Sequence, residues 1–307
     1  MSKVDSPHRA KPFLKWAGGK TQLLEQIESF LPAALKAGWI KRYVEPFVGS
    51  GAVLFHLAQQ YSIQEFGIFD TNQELILVYR TVQQAVEALI EHLSDLEQQY
   101  HGLATEAQRD FFYTLRATFN LEQAQVDYSQ PSTARAAQFI FLNRTCYNGL
   151  FRVNAKGEFN VPFGSYRNPQ ICFPETLRAA AGILSRTQIQ MGDFISAKSV
   201  VDEQTFVYFD PPYRPISPTS SFNAYQKSSF GDAAQRRLAD LFRELDRTGA
   251  KLMLSNSDPH NYNAGDDFFQ SLYAGFHINR VIASRMINCQ RDKRGKITEL
   301  LITNYDP

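Results

Sequence analysis

The four residues Asp210-Pro211-Pro212-Tyr213 join a carboxylate, two prolines and an aromatic ring, directly after the apolar run Thr205–Phe209. Two prolines in succession remove two backbone donors and stiffen the turn. The carboxylate and the nearby carbonyls are thereby presented as fixed acceptors at the end of a strand, with a ring beside them. Such a pair of acceptors suits a planar group that carries an amino function. Each residue type is roughly a twentieth of an average chain, so four chosen residues in a row are far from a chance event. A rigid strand exit whose tyrosine belongs to the core is the plainer reading of the same residues. A second constellation is Gly49-Ser50-Gly51, followed by Asp70. It is half of a dinucleotide fingerprint, because Leu54 stands where G-x-G-x-x-G requires its third glycine. Glycines at such a turn allow close approach to the backbone, and an acid ending the next strand can accept hydrogen bonds from ribose hydroxyls. Taken alone, G-x-G is equally an ordinary tight turn.

The elements that would carry these residues follow from apolar spacing. Arg42 to Phe47 reads as a strand, Ala52 to Tyr61 as a helix and Glu65 to Phe69 as a second strand closing on Asp70: a βαβ beginning. From Gln73 to Asn120 the period is helical, with Leu75, Val78, Val82, Val86, Leu89, Leu93 and Leu96 in step. Ala134 to Leu142 predicts another helix. It leads into a hairpin with turn formers at Asn148-Gly149 and Ala155-Lys156-Gly157. Strand and helix alternation resumes after about Pro174. Thr205 to Phe209 is a buried strand, Ala233 to Arg247 an amphipathic helix and Ala250 to Leu254 a further strand. His277 to Ile282 and Ile297 to Thr303 read as a closing antiparallel pair. One α/β sheet domain, residues 1–72 and 175–307, is thus interrupted by a helical insertion, 73–174, that bears a basic hairpin.

Composition narrows the class. At 307 residues, 44% hydrophobic and 21% charged, the chain is an ordinary globular one with room for about two domains. No run approaches the roughly 18 apolar residues of a membrane span, and the start has no secretory core. Cys146, Cys172 and Cys289 are odd in number and match no zinc spacing, which fits a reducing cytoplasm and implies no metal. The near-neutral total of 32 basic and 31 acidic residues is unevenly spread. Gln73 to Ala134 holds nine acids against three bases. Phe141 to Gln170 holds four bases against one acid, and Arg285 to Ile297 five against one. A polyanion would feel those two basic patches, although each is also what a solvated loop looks like.

With FLKWAGGK at residues 13–20, VEPFVGSGAVLF, the Asp70 strand end, the run FLNR…YNGLFRVN…GEFNVPFG and DPPY, the sequence resembles the Dam-type DNA adenine methyltransferases over nearly its whole length. Within that family it looks closer to the members that recognise GATC. The resemblance implies a class I methyltransferase-like (Rossmann-like) sheet domain with an inserted helical target-recognition domain carrying the hairpin. It implies S-adenosylmethionine as cofactor, with Trp16, Lys20, Asp70, Asp193 and Asp210 at the family's cofactor positions and Gly49 to Gly51 as the close-approach turn. Lys20 would serve the methionine carboxylate. Asp210, Pro211, Pro212 and Tyr213 would be catalytic. The family's base-contacting positions are filled by Lys15, Leu150, Arg152, Pro162 and Tyr166, and Tyr147 matches an aromatic that enters the base stack. Arginine suits guanine's two major-groove acceptors, and leucine and proline suit a thymine methyl. Two departures stand out: Ser165 replaces an arginine of some members, and Thr145-Cys146 replaces a Tyr-Gly pair.

The expected partner is therefore double-stranded DNA, with no membrane and no obligate protein partner, and the expected place the bacterial cytoplasm. An adenine methyltransferase of another DNA sequence, or of single-stranded DNA or RNA, is the nearest alternative. A non-enzymatic DNA-binding relative would be expected to lose Asp210 or Tyr213, and both are present. A nicotinamide oxidoreductase is disfavoured by the missing third glycine. Whether the enzyme serves a restriction-modification system or acts alone is not written in these motifs.

Overall fold

The computed structural model describes residues 9–214, 230–284 and 296–307. Along the chain run helices α1 (Leu24–Ser29) and α2 (Ala33–Lys36), strand β1 (Arg42–Glu45), α3 (Ala52–Gln60) and β2 (Glu65–Asp70). Helices α4 (Gln73–Gln84), α5 (Val86–His101), α6 (Thr105–Glu122), α7 (Thr133–Thr145) and α8 (Pro174–Leu184) follow. Then come β3 (Thr187–Met191), β4 (Thr205–Phe209), α9 (Asp232–Asp246), β5 (Lys251–Ser257), α10 (Phe268–Leu272), β6 (His277–Ser284) and β7 (Lys296–Thr303). This is a mixed α/β protein with a seven-stranded, mostly parallel sheet, the class I methyltransferase-like architecture expected from the sequence. Among the described residues no helix is long and apolar enough to cross a membrane.

The chain divides into two compact units: residues 1–19, 49–60 and 72–191, and residues 20–48, 61–71 and 192–307. The second unit holds six strands in the order β2-β1-β4-β5-β7-β6. β1 lies parallel to both β2 and β4, β4 parallel to β5, and the closing pair β6–β7 is antiparallel. All five residues of β4 are buried, as a continuous apolar run demands of a strand covered on both faces. Helix α9 turns Leu238, Ala239, Leu241, Phe242 and Leu245 inward at helical spacing. They join Val207, Phe209, Leu252 and Leu254 in one core. The carboxyl ends of β2 and β4 carry Asp70 and, one residue on, Asp210.

The first unit is mainly helical. Leu75, Val78, Val82, Leu89 and Leu93 are fully buried, as their spacing predicts. The period is nonetheless broken into α4, α5 and α6, the first break falling at Ala85, whose φ of −144° leaves the helical range. Asn72 caps α4 by accepting from the Glu74 and Leu75 amides. The buried Arg135 of α7 pairs with the Glu74 carboxylate of α4, donates to the Phe119 carbonyl of α6 and lies over the Phe119 ring. One guanidinium thus ties three helices together.

The expected hairpin has hairpin hydrogen bonds, Asn154 N to Glu158 O at 2.9 Å and Asn160 N to Arg152 O at 3.0 Å. It forms only the isolated bridge Val153–Phe159, with a second bridge at Cys146–Phe163, and no continuous ladder. Side chains of α6 explain this. Asn120 accepts from the Phe159 amide and donates to its carbonyl, while Arg116 donates to the Val161 carbonyl. The backbone groups are satisfied, so no long partner strand is needed.

Candidate active site

In the second unit the site grows out of strand register. Phe209 of β4 pairs with Leu254 of β5 in parallel, so the next level along brings Asp210 beside Ser255. Side chains alternate along a strand, which puts Tyr208 on the same face as Asp210. The observed contacts follow this arithmetic. Tyr208 donates from its hydroxyl to Ser255 Oγ at 3.0 Å, and Ser255 Oγ donates to Asp210 Oδ1, also at 3.0 Å. Lys20, buried in the first turn after Gly19, brings Nζ within 2.7 Å of the same Oδ1. That ammonium also sits 4.8 Å from the centre of the Tyr213 ring.

Tyr213 donates in turn to Glu299 Oε2 of β7 at 2.5 Å. Burial pushes its phenol well above the usual tyrosine range, and the Asp210 and Glu299 carboxylates add to the shift. The ring is therefore neutral throughout the physiological range. Gln235 of α9, fully buried, donates to the Pro212 carbonyl at 3.3 Å and accepts from Asn256 at 3.3 Å. The proline turn is thus gripped from behind as well as stiffened by its own rings. Of the residues singled out in the sequence, the second unit gathers Lys20, Asp210 and Tyr213 within touching distance. Asp70 ends β2, half-buried, its carbonyl accepting from the Gly192 amide at 3.0 Å. Asp193 is engaged by Arg237 at 2.8 Å.

The first unit holds the remaining residues. Gly49 and Gly51 have φ of +46° and +67°. A Cβ on Gly49 would stand 2.8 Å from Trp16 Cδ1, and one on Gly51 2.8 Å from the Tyr79 hydroxyl. Tyr79 donates to the Gly49 carbonyl at 3.0 Å. Both glycines are thus required by the protein's own side chains, which press the turn closely. Trp16 stacks on Phe151 of the hairpin, rings 5.9 Å apart and 15° from parallel.

Its neighbour Lys15 is held by Asn143 of α7. Asn143 accepts from the Lys15 amide at 2.8 Å and donates to the Lys15 carbonyl at 2.8 Å and the Gly149 carbonyl at 3.0 Å. Gly149, with φ of +62°, leaves room for the Lys15 chain, which a Cβ would meet at 2.4 Å. Lys15 Nζ lies 4.3 Å from the centre of the Tyr166 ring, and the Tyr166 hydroxyl accepts from the Asn148 amide at 2.9 Å. Burial and the Arg144 guanidinium lower the Lys15 pKa. Arg152 is exposed and bonded to Asn160 Oδ1 at 2.7 Å, Pro162 is exposed, Leu150 half-buried, and Tyr147 stands 55% exposed. Lys15, Tyr147, Leu150, Arg152, Pro162 and Tyr166 therefore all lie on or beside one hairpin. The second basic patch, with Arg285, Arg291, Lys293 and Arg294, lies outside the described residues.

Sequence reasoning passed over Ser255, Glu299, Gln235 and Asn143. It also passed over Glu45, a buried carboxylate ending β1 that accepts from Tyr43 at 2.9 Å. Glu45 had a readable signal, a charge inside an apolar strand. The other four stand as isolated polar residues, and only strand pairing or helix packing gives them partners.

Fixed acceptors at the end of a central strand, with a neutral ring and a buried ammonium, define a site that can hold an amino-bearing planar base. Residues 16–287 match the family described as D12 class N6 adenine-specific DNA methyltransferase, and the chain belongs to that family. It is an adenine-specific DNA methyltransferase, with DNA as its substrate. It is 53% identical over 296 residues to the type II methyltransferase M.MjaIII of Methanocaldococcus jannaschii, covering 96% of this chain and 99% of that one. To the type II methyltransferase M1.LlaDCHI of Lactococcus lactis it is 37% identical, covering 96% and 95%. The DNA adenine methylase of Escherichia coli is 32% identical, with 95% and 94% covered.

Proposed function

We propose that this enzyme uses S-adenosylmethionine to methylate adenine in duplex DNA at GATC, with the target base swung out of the helix. The observation that carries the chemistry is the Lys20–Asp210–Tyr213 corner. In this reading Asp210 and the Pro211 carbonyl accept the two amino hydrogens of adenine. That draws the nitrogen lone pair out of ring conjugation and makes it a nucleophile. Positive charge grows on the nitrogen as its lone pair forms the new bond to carbon, and fixed acceptors stabilise that charge without reorganising. The surplus proton leaves through Asp210 to solvent. Tyr213, neutral and held by Glu299, offers its face to the base. Much of the acceleration comes from alignment, which a stiff Pro-Pro turn favours.

The donor set fits the cofactor. Lys20 supplies an ammonium for a carboxylate, and Asp70 and Asp193 supply acceptors for hydroxyl and amino groups. Trp16, Gly49 and Gly51, in the first unit, are assigned to the cofactor by the family resemblance alone. S-adenosylmethionine, when bound, would supply a methyl group on positively charged sulfur and depart as a neutral thioether. A paired base cannot reach such acceptors, so it must leave the stack, and Tyr147, exposed on the hairpin, is assigned the role of propping the gap.

Target choice is assigned to the hairpin within the inserted stretch 73–174. Arg152 and Lys15 suit guanine, and Leu150 and Pro162 a thymine methyl. Tyr166 aligns Lys15 by stacking under its ammonium. The place of work would be the cytoplasm, with its DNA. The test is transfer of labelled methyl from S-adenosylmethionine to duplexes with GATC, GACT or a scrambled site, followed by nucleoside analysis. N6-methyladenine confined to GATC is expected. Label in another duplex would remove the GATC assignment and keep the chemistry. Label only in single strands or RNA would remove duplex DNA and base flipping from the reading.

A further inference from the structure

We infer that Ser255 is a positioning residue for methyl transfer: with Tyr208 behind it, it pins Asp210 by Oδ1 and presents Oδ2 to the adenine amino group. The inference rests on the role proposed above for Asp210. A serine hydroxyl has one proton to give. Tyr208 is fully buried, and burial with the Asp210 charge pushes its phenol well above the ordinary range, so it stays a donor. It gives its hydroxyl proton to Ser255 Oγ at 3.0 Å, and the serine's own proton then goes to Asp210 Oδ1 at 3.0 Å rather than to the more distant Phe209 carbonyl at 3.5 Å. The order Tyr208 to Ser255 to Asp210 is therefore fixed in direction.

Lys20 approaches the same oxygen at 2.7 Å. With both donors on Oδ1, the other carboxylate oxygen is the one turned to an incoming amino group. The carboxylate torsion of an aspartate is otherwise broad and roughly twofold, so an unpinned Asp210 would exchange its two oxygens and tilt.

The serine matters for a second reason. In the proposed reading Lys20 also serves the cofactor's carboxylate. As that ammonium is shared, the Ser255 hydroxyl is the donor that keeps Asp210 in place. Ser255 is wholly buried and sits at the level of Asp210 because Phe209 pairs with Leu254, so the contact is set by the sheet and not by a loop.

The experiment measures single-turnover methylation of a GATC duplex at saturating S-adenosylmethionine for the full chain and for Ser255→Ala, Ser255→Thr and Tyr208→Phe. KM for both substrates and melting temperature are recorded for each. Loss of a hydrogen bond to a charged group predicts a rate about 10- to 100-fold lower in Ser255→Ala, with both KM values within about twofold. Ser255→Thr, which keeps the hydroxyl, should return to within about threefold of the parent, and Tyr208→Phe should fall about 3- to 10-fold. A Ser255→Ala rate within about twofold of the parent would overturn the inference. So would an equal loss in Ser255→Thr with unchanged melting temperature. Should Ser255→Ala not fold, Tyr208→Phe decides: a rate equal to the parent's removes the relay. A parent enzyme that makes no N6-methyladenine from S-adenosylmethionine would instead overturn the underlying reading.

Discussion

The acceptor corner and the hairpin are built on opposite principles. At the corner, Asp210 follows β4 directly, while Ser255 and Glu299 stand on β5 and β7, and the register of these paired strands sets their spacing. In the hairpin, two isolated bridges do the work of strands, and side chains of α6 and α7 hold the backbone instead. The first arrangement sets the spacing of a few atoms by backbone pairing. The second leaves Tyr147, Arg152 and Pro162 exposed on a scaffold that can change without disturbing a sheet. Chemistry common to a family belongs on the former, and a choice among DNA sequences on the latter.

Three substitutions would break that division if it is wrong. Asp210→Ala should lower methylation by about 1000-fold or more, since it removes the acceptor itself. Affinity for the cognate duplex should stay within a few-fold by gel shift. Arg152→Ala should act the other way. Discrimination at a single guanine should fall about 10- to 100-fold, the worth of a bidentate contact, with the rate on the preferred duplex lowered much less. Asn143→Ala removes three hydrogen bonds to the main chain of Lys15 and Gly149. We expect about 2–3 kcal/mol lower stability in urea titration, together with a narrowed ratio between cognate and near-cognate duplexes. Asn143→Ala with full discrimination would show that the hairpin does not need its α7 anchor.

Much of the corner was legible before any coordinates, and the reason is local. Thr205–Phe209 is a continuous apolar run closed by two prolines, so strand, exit and carboxylate were all in one short stretch. Asp70 ended a strand for the same reason. Strand β3 was not foreseen, because in Thr187–Met191 the alternation is limited to Ile189 and Met191 among glutamines, there is no apolar run, and the segment is only partly buried. The split of the long helical period was also missed, since Ala85 bears no proline or glycine to mark it. Ser255 could not be found from its neighbours. It becomes meaningful only when β4 and β5 are paired and a one-residue shift would turn it to the other face. The hairpin turn was legible from its turn formers, yet its weak ladder was hidden in Asn120 and Arg116, some forty residues upstream.

A pH titration separates the two regions by a smaller effect. Lys15 is driven below the usual lysine range by burial and by Arg144. Its ammonium is present below that lowered value and is lost as pH rises through it, so its proposed contribution to DNA binding fades at a lower pH than that of an ordinary lysine. Tyr213 shifts the other way and remains a neutral donor to Glu299 over the same window. Site-specific affinity should therefore decline a few-fold at alkaline pH, below the range where ordinary lysines titrate, while the single-turnover rate of the bound complex stays level. In Lys15→Arg, whose guanidinium keeps its charge, the decline in affinity should disappear. A decline that persists in Lys15→Arg would assign the titration to another group and detach Lys15 from the recognition of DNA.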